Sequence, residues 1–244
     1  MKTLLRYPLS VLFYLCFGTV LVFFHCVQWI ALNCFGYQAH KVSVDVLNYF
    51  ILRCLNILGT RISYTLEAPL PKTKGVIFVA NHQSTFDIPP LIWCLRKYHA
   101  KFVSKKELGR GIPSVSFNLR HGGSVLIDRK NPKKALKKIE DFGKKVAKNH
   151  HSVIIFPEGT RSRDGKMQPF RKAGLVTLLK SMPEATLVPI SIENSWHFAV
   201  HNYFPMPVGN QLRFTFHAGI QNNPEQIDQL IDRIESTIKN KLEN

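Results

Sequence analysis

Hydrophobic and polar positions divide the chain into two textures that meet near Gly59. Between Arg6 and Lys41 there is no Asp, Glu, Lys or Arg; residues 11–24 are almost wholly apolar and residues 27–35 mostly so. That length suffices for a helix that enters or spans a bilayer, which needs about 20 apolar residues. Lys2 and Arg6 ahead of an apolar run also suit a secretory signal, but the run is too long and lacks a small-x-small cleavage site. Residues 42–58 supply a second apolar helix, marked by Asp45, Asn48, Arg53 and Asn56. Gly and Asn within residues 33–37 can turn the chain between the two. Lys2 and Arg6 favour a cytoplasmic N-terminus, so a single span would export the very basic remainder. Two elements bring it back. Residues 1–60 therefore read as a membrane-associated helical hairpin, against the alternative of a soluble helical subdomain.

From residue 61 onward, short β-branched runs alternate with amphipathic stretches. Strands are expected at residues 61–67, 75–80, 101–103, 124–127, 152–156, 186–192 and 212–216. Helices are expected near residues 88–98, 132–149, 172–180 and 226–242. Such alternation predicts an α/β domain over residues 61–244, with a mixed, largely parallel sheet flanked by helices.

Charge narrows the partners. The 244 residues carry 33 Lys+Arg against 16 Asp+Glu, a formal charge of +17. That balance calls for an anionic partner: nucleic acid, a membrane surface or an acidic substrate. The helix from Pro132 concentrates it in Lys133, Lys134, Lys137, Lys138, Lys144, Lys145 and Lys148, against Glu140 and Asp141. A solvated face, an anionic lipid surface and an acidic carrier protein all fit this run. The five cysteines form no CxxC pair and lie beside no ligand-spaced histidine, so neither a disulfide framework nor a metal site is expected.

The chemistry-bearing segments each follow an expected strand. Asn81–Asp87 (NHQSTFD) follows 75–80, Asp128-Arg129 follows 124–127, the block PEGTRS from Pro157 follows 152–156, and Glu193-Asn194 follows 186–192. Parallel strands place such segments along one edge, where α/β sheets bind ligands. One histidine, several carboxylates and two arginines are thus expected in one crevice. Histidine titrates near neutrality, and a carboxylate on its other nitrogen fixes the tautomer, as general-base work requires. His82 and Asp87 fit those roles if His82 lies in the strand-to-helix turn and Asp87 begins the helix. Alternatively, Asp87 only caps the helix. Pro157-Glu158-Gly159 makes a turn that presents Glu158, Thr160 and Arg161. A guanidinium there can hold phosphate through paired hydrogen bonds, or form an ordinary surface ion pair.

Together these blocks resemble the glycerolipid acyltransferase family, specifically the 1-acylglycerol-3-phosphate acyltransferases. Its NHxxxxD motif stands as Asn81, His82 and Asp87, and its Lys-x-Glu-Leu block as Lys105, Glu107 and Leu108. Residues 123–129 (GSVLIDR), 156–162 (FPEGTRS) and 188–190 (VPI) resemble the later blocks in order and spacing. The resemblance implies that His82, held by Asp87, deprotonates the sn-2 hydroxyl of lysophosphatidate, which attacks an acyl thioester with no acyl-enzyme. It implies Lys105 and Arg161 as phosphate ligands, Glu158 and Gly159 shaping the glycerol site, and Thr160 beside them. Arg129 is either a further phosphate contact or paired with Asp128. No cofactor is implied beyond acyl-CoA or acyl-carrier protein as co-substrate. The implied setting is a membrane, with the active site facing the cytoplasm (the inner membrane in a bacterium).

Other functions fit less well. There is no GxSxG elbow, dinucleotide fingerprint or Walker loop. A nucleic-acid binder would explain the charge but not the apolar N-terminal segment, so nucleic acid is not an expected partner. A silent lipid-binding protein has no need of the His82–Asp87 pair. Within the family, glycerol 3-phosphate or another lysolipid, such as a lyso-ornithine lipid, is the alternative acceptor.

Overall fold

The computed structural model describes residues 2–72, 75–162 and 164–243. The first element, α1 (Lys2–Ile57), is two helical arms joined at Gly36, where φ of 80° and ψ of −171° break the helix. Glycine reaches that region at little steric cost, so the expected turn falls where the sequence supplies one. Leu21 and Phe24 of the first arm pack against Leu47 and Ile51 of the second. The second arm resumes directly after Gly36, ahead of the expected residue 42.

The remainder folds around one sheet: β1 (Arg61–Leu66), β2 (Val76–Ala80), β3 (Lys101–Lys105), β4 (Val125–Ile127), β5 (Val153–Ile155), β6 (Thr186–Glu193), β7 (Gln211–Phe216) and β8 (Ile220–Gln221). Its order is β1-β7-β6-β2-β5-β3-β4, with β8 also on β6. Neighbours from β6 through β4 run parallel, as do β1 and β7; β6 meets β7 and β8 antiparallel. The sheet is therefore mixed and largely parallel. Pro189 has no N–H to give, and sits in β6 between the stretches paired to β8 and to β7.

Helices cover both faces: α2 (Ile88–Cys94), α3 (Val115–His121), α4 (Pro132–Lys148), α5 (Lys172–Ser181) and α6 (Ile227–Glu243). Alternate residues of β2 serve different cores. Val76, Phe78 and Ala80 join Phe13, Leu55 and Leu58 of the N-terminal segment and Leu91 of α2. Ile77 and Val79 join Ile139 and Phe142 of α4, Leu175 of α5 and Ile231 of α6. Burial on both faces explains why VIFVA reads as an unbroken apolar run. It also places the hairpin and α4 on opposite sides of the sheet.

Two details depart from expectation. The helix expected over 88–98 ends at Cys94 and gives way to a 3₁₀ turn, Arg96–Tyr98, that closes on left-handed His99. The seven-residue α3 is too short to imprint a periodicity, and Gly111, Pro113 and Ser114 before it read as loop. Ser191, His217 and Glu67 form a hydrogen-bonded chain of 2.8 and 2.9 Å that resembles a hydrolase triad. Ser191 is wholly enclosed, so the chain ties the sheet together rather than meeting a substrate.

Candidate active site

The carboxyl ends of β2, β3, β4 and β5 deliver their loops to one crevice of about 220 Å³. At its base, Asn81 bridges β2 to β6: its side chain donates to the Ile192 carbonyl and accepts from the Ile192 N–H, at 2.9 and 2.7 Å. This bond pair fixes the end of the strand just before His82.

His82 lines the crevice, with its side chain 17% exposed. Its Nδ1 lies 2.8 Å from Asp87 Oδ2. The same oxygen accepts the backbone N–H groups of Gln83 and Ser84, at 2.7 and 3.0 Å. Asp87 is fully buried and closes a capping box with Ser84 at the start of a 3₁₀ turn, Thr85–Asp87, that leads into α2. Capping and imidazole orientation are therefore one arrangement: the carboxylate that caps the turn also holds the histidine ring. Nδ1 bonded to a carboxylate leaves Nε2 as the nitrogen that can accept a proton. The ring stacks on Phe156, with centroids 4.2 Å apart.

Glu158 sits behind this pair, 1% exposed. One carboxylate oxygen accepts the His82 N–H at 2.6 Å and the other the Gln168 N–H at 2.7 Å. Ser162 N–H donates in turn to the His82 carbonyl at 2.8 Å, so the two loops clamp the histidine backbone. Burial pushes the Glu158 carboxyl up to about 7, against the pull of those two N–H donors. Glu158 does not line the crevice, which departs from its expected contact with the glycerol moiety.

The cationic side is open. Lys105, Arg129, Gly159, Thr160 and Arg161 all line the crevice. Gly159 has φ of +69°, and a Cβ there would press on the Arg171 side chain at 3.2 Å, so the turn requires glycine. Arg129 donates to the Gly159 carbonyl, while its neighbour Asp128 pairs with Lys106 instead. Arg161 donates to the Tyr203 hydroxyl at 2.8 Å. Glu193-Asn194 stays outside: Asn194 donates to the Gln211 carbonyl, and neither residue lines the crevice. Of the expected carboxylates, only Asp87 reaches the histidine ring. The motif pattern does not single out Phe156 as a stacking partner or Tyr203 as an arginine partner, because both depend on loop packing.

An apolar cavity of about 330 Å³ adjoins the crevice and shares Thr85, Ile88, Phe102, Ser104 and Leu108 with it. Its further walls include Phe17, Leu47 and Ile51 of the hairpin and Val115 of α3. It therefore lies between the N-terminal segment and the α/β fold.

A family model described as Acyltransferase matches residues 61–193. A 1-acyl-sn-glycerol-3-phosphate acyltransferase of Limnanthes douglasii is 27% identical over 199 residues, 80% of this chain and 69% of that protein. One of Borreliella burgdorferi is 30% identical over 164 residues, 66% of this chain and 63% of that protein. One of Cocos nucifera is 29% identical over 153 residues, and the chain spans only 48% of its length. The crystal structure of the 1-acyl-sn-glycerophosphate (LPA) acyltransferase of Thermotoga maritima superimposes over 100% of this chain and 97% of that one. Its TM-score is 0.79 at 24% identity, so the fold is shared end to end. The matched segment begins at β1 and ends with β6, and so holds every strand that delivers a loop to the crevice. On these grounds the chain belongs to the Acyltransferase family.

Proposed function

We propose that the protein moves the acyl group of a thioester, carried by coenzyme A or acyl-carrier protein, to the sn-2 hydroxyl of 1-acyl-sn-glycerol 3-phosphate, forming phosphatidate. The carrying observation is the His82–Asp87 pair, whose histidine lines a cationic crevice that shares a wall with an apolar cavity. His82 Nε2 takes the hydroxyl proton as the oxygen attacks the thioester carbonyl. Asp87 stabilises the imidazolium that results. Collapse of the tetrahedral intermediate breaks the carbon–sulfur bond, and the imidazolium returns its proton to the departing thiolate. No nucleophilic side chain takes part, so no acyl-enzyme accumulates.

The rest of the site supports this assignment of roles. Lys105, Arg129 and Arg161 meet the acceptor phosphate, with Gly159 and Thr160 beside the glycerol. The cavity against the hairpin takes an acyl chain. Glu158 acts by holding the His82 backbone, not by touching substrate.

The exposed row Leu4, Val11, Leu15, Val22, Phe23, Trp29 and Phe35 supports docking of the hairpin into a bilayer. The acceptor lives there, and the donor arrives from the cytoplasm. Acyl transfer from labelled acyl-CoA and acyl-carrier protein tests the reading, with lysophosphatidate, glycerol 3-phosphate and lysophosphatidylcholine as parallel acceptors. Phosphatidate is the expected main product. Preference for another acceptor would keep the chemistry and replace the substrate; no transfer from either donor would overturn the proposal.

A further inference from the structure

A second group of titratable side chains gathers outside the crevice, just past the Gly36 turn of the hairpin. Tyr37, His40 and Lys41 of the second arm, Arg96 and His99 of the 3₁₀ turn and its close, and Lys101 of β3 line a cavity of about 40 Å³. Its charges do not balance. Three cations, Lys41, Arg96 and Lys101, share it with one carboxylate, Asp45, among the described residues. Asp45 is already held by Lys41 at 2.5 Å, and Arg96 lies over the Trp93 ring and donates to the Trp93 carbonyl. Lys101 is buried, donates to the Tyr37 hydroxyl and lies over that ring, but no ion pair holds it among the described residues.

A buried ammonium without a counter-charge is costly, and burial, then Lys41, pulls the Lys101 amine down to about 7. His40 is wholly enclosed, and neither of its ring nitrogens has a hydrogen-bond partner among the described residues. Buried polar groups are nearly always paired, so two exceptions on one cavity point to a ligand drawn from solution. Further donors stand on the same walls. The Ser124 hydroxyl accepts from the Phe102 N–H at 3.1 Å, which leaves its own proton to give, and Asn118 of α3 adds an amide. The volume is about three times what one water needs, enough for a monatomic ion with a water beside it.

We propose that this cavity binds a small monovalent anion of chloride size, held by Lys101, His40 and Ser124, and that the ion fastens the hairpin's second arm to the sheet. Ile92, Phe102 and Asn118 line both this cavity and the apolar one, so the ion also steadies a wall of the latter. Such a site stands whatever group the crevice transfers.

The test uses full-length protein in phosphatidylcholine nanodiscs, with sodium chloride exchanged against sodium gluconate at constant ionic strength. Chloride NMR line broadening reads binding directly, and thermal melting reads its effect on the fold. Both are run at about pH 6.5, where Lys101 carries its proton. Wild type is expected to broaden the chloride line and to melt at least about 2 °C higher in about 100 mM chloride than in gluconate. Lys101→Met should lose both effects. Should that variant fail to fold, Tyr37→Phe removes only the hydroxyl that orients the lysine, and should weaken chloride binding at least about threefold. The exposed control Lys148→Gln should keep both effects. No broadening and no shift in wild type would overturn the proposal. So would equal chloride effects in wild type and the folded Lys101 or Tyr37 variant, which mark a general salt effect. A shift with phosphate and none with chloride would overturn it as well.

Discussion

At the scale of single residues, two buried carboxylates do different work around one histidine. Asp87 touches the ring, and Asp87→Asn keeps the shape while removing the charge that stabilises an imidazolium. A fall in kcat of about 10²- to 10⁴-fold, with a folded protein, is expected from steady-state kinetics. Glu158 touches only backbone N–H groups, and Glu158→Gln sets an amide N–H against one of those donors. Its cost is about 1–3 kcal/mol of stability, read by denaturant unfolding. The pH dependence has a definite sign. The folded carboxyl titrates near 7 and the unfolded one near 4.5, so the folded state holds the extra proton between those values. The stability advantage of wild type over the Gln variant therefore shrinks as pH rises from 4.5 to 7. The meeting of His82 with Asp87 and of Lys105, Arg129 and Arg161 in one crevice was legible because these residues follow the ends of neighbouring parallel strands. The role of Glu158 was not, since a glutamate beside a turn reads the same whether it faces substrate or the chain behind it.

At the scale of elements, the hairpin is a wall of the apolar cavity. Its tip is held where Lys101 donates to the Tyr37 hydroxyl, which also meets His99 Nε2 at 2.9 Å. Burial pushes the Lys101 amine down to about 7, with Lys41 adding to the effect, and pushes His99 to about 3. For Lys101 the unfolded state binds more protons between pH 7 and 10.5, so its deprotonation stabilises the fold as pH rises through that window. Lys101→Met should flatten the Tm–pH curve there. Where α3 meets the hairpin, Val115→Phe narrows the apolar cavity at its α3 wall. The expected result is a shift toward shorter acyl chains in a mixed-donor competition read by mass spectrometry, at a stability cost of about 1–3 kcal/mol. The two arms and their turn were legible from charge-free runs and a glycine. The docking of those arms on the sheet was not, because the same apolar pattern serves lipid and core alike.

Across the whole molecule, the N-terminal segment contributes Phe13, Leu55 and Leu58, each fully buried, to the core on its side of the sheet. Removing residues 1–60 would expose that core, at about 1.5–3 kcal/mol for each large apolar side chain uncovered. The truncated chain is expected to aggregate or melt early rather than to become a soluble catalytic domain; size-exclusion chromatography and thermal melting decide this. The outward row of apolar side chains adds an orientation that sealed vesicles can test. Residues beyond 60 should be cut by protease added on the cytoplasmic side, and protection there would contradict a cytoplasmic donor. The mixed sheet was legible from the alternation of strand and helix runs. Its order was not, because pairing between distant strands leaves no local mark.

The most direct test of the central claim is phosphatidate formation from lysophosphatidate and an acyl thioester by wild type and by His82→Ala, measured at matched folding. His82 as general base in a direct transfer predicts a loss of at least about a hundredfold with an unchanged melting temperature. A variant that keeps the wild-type rate would contradict the account.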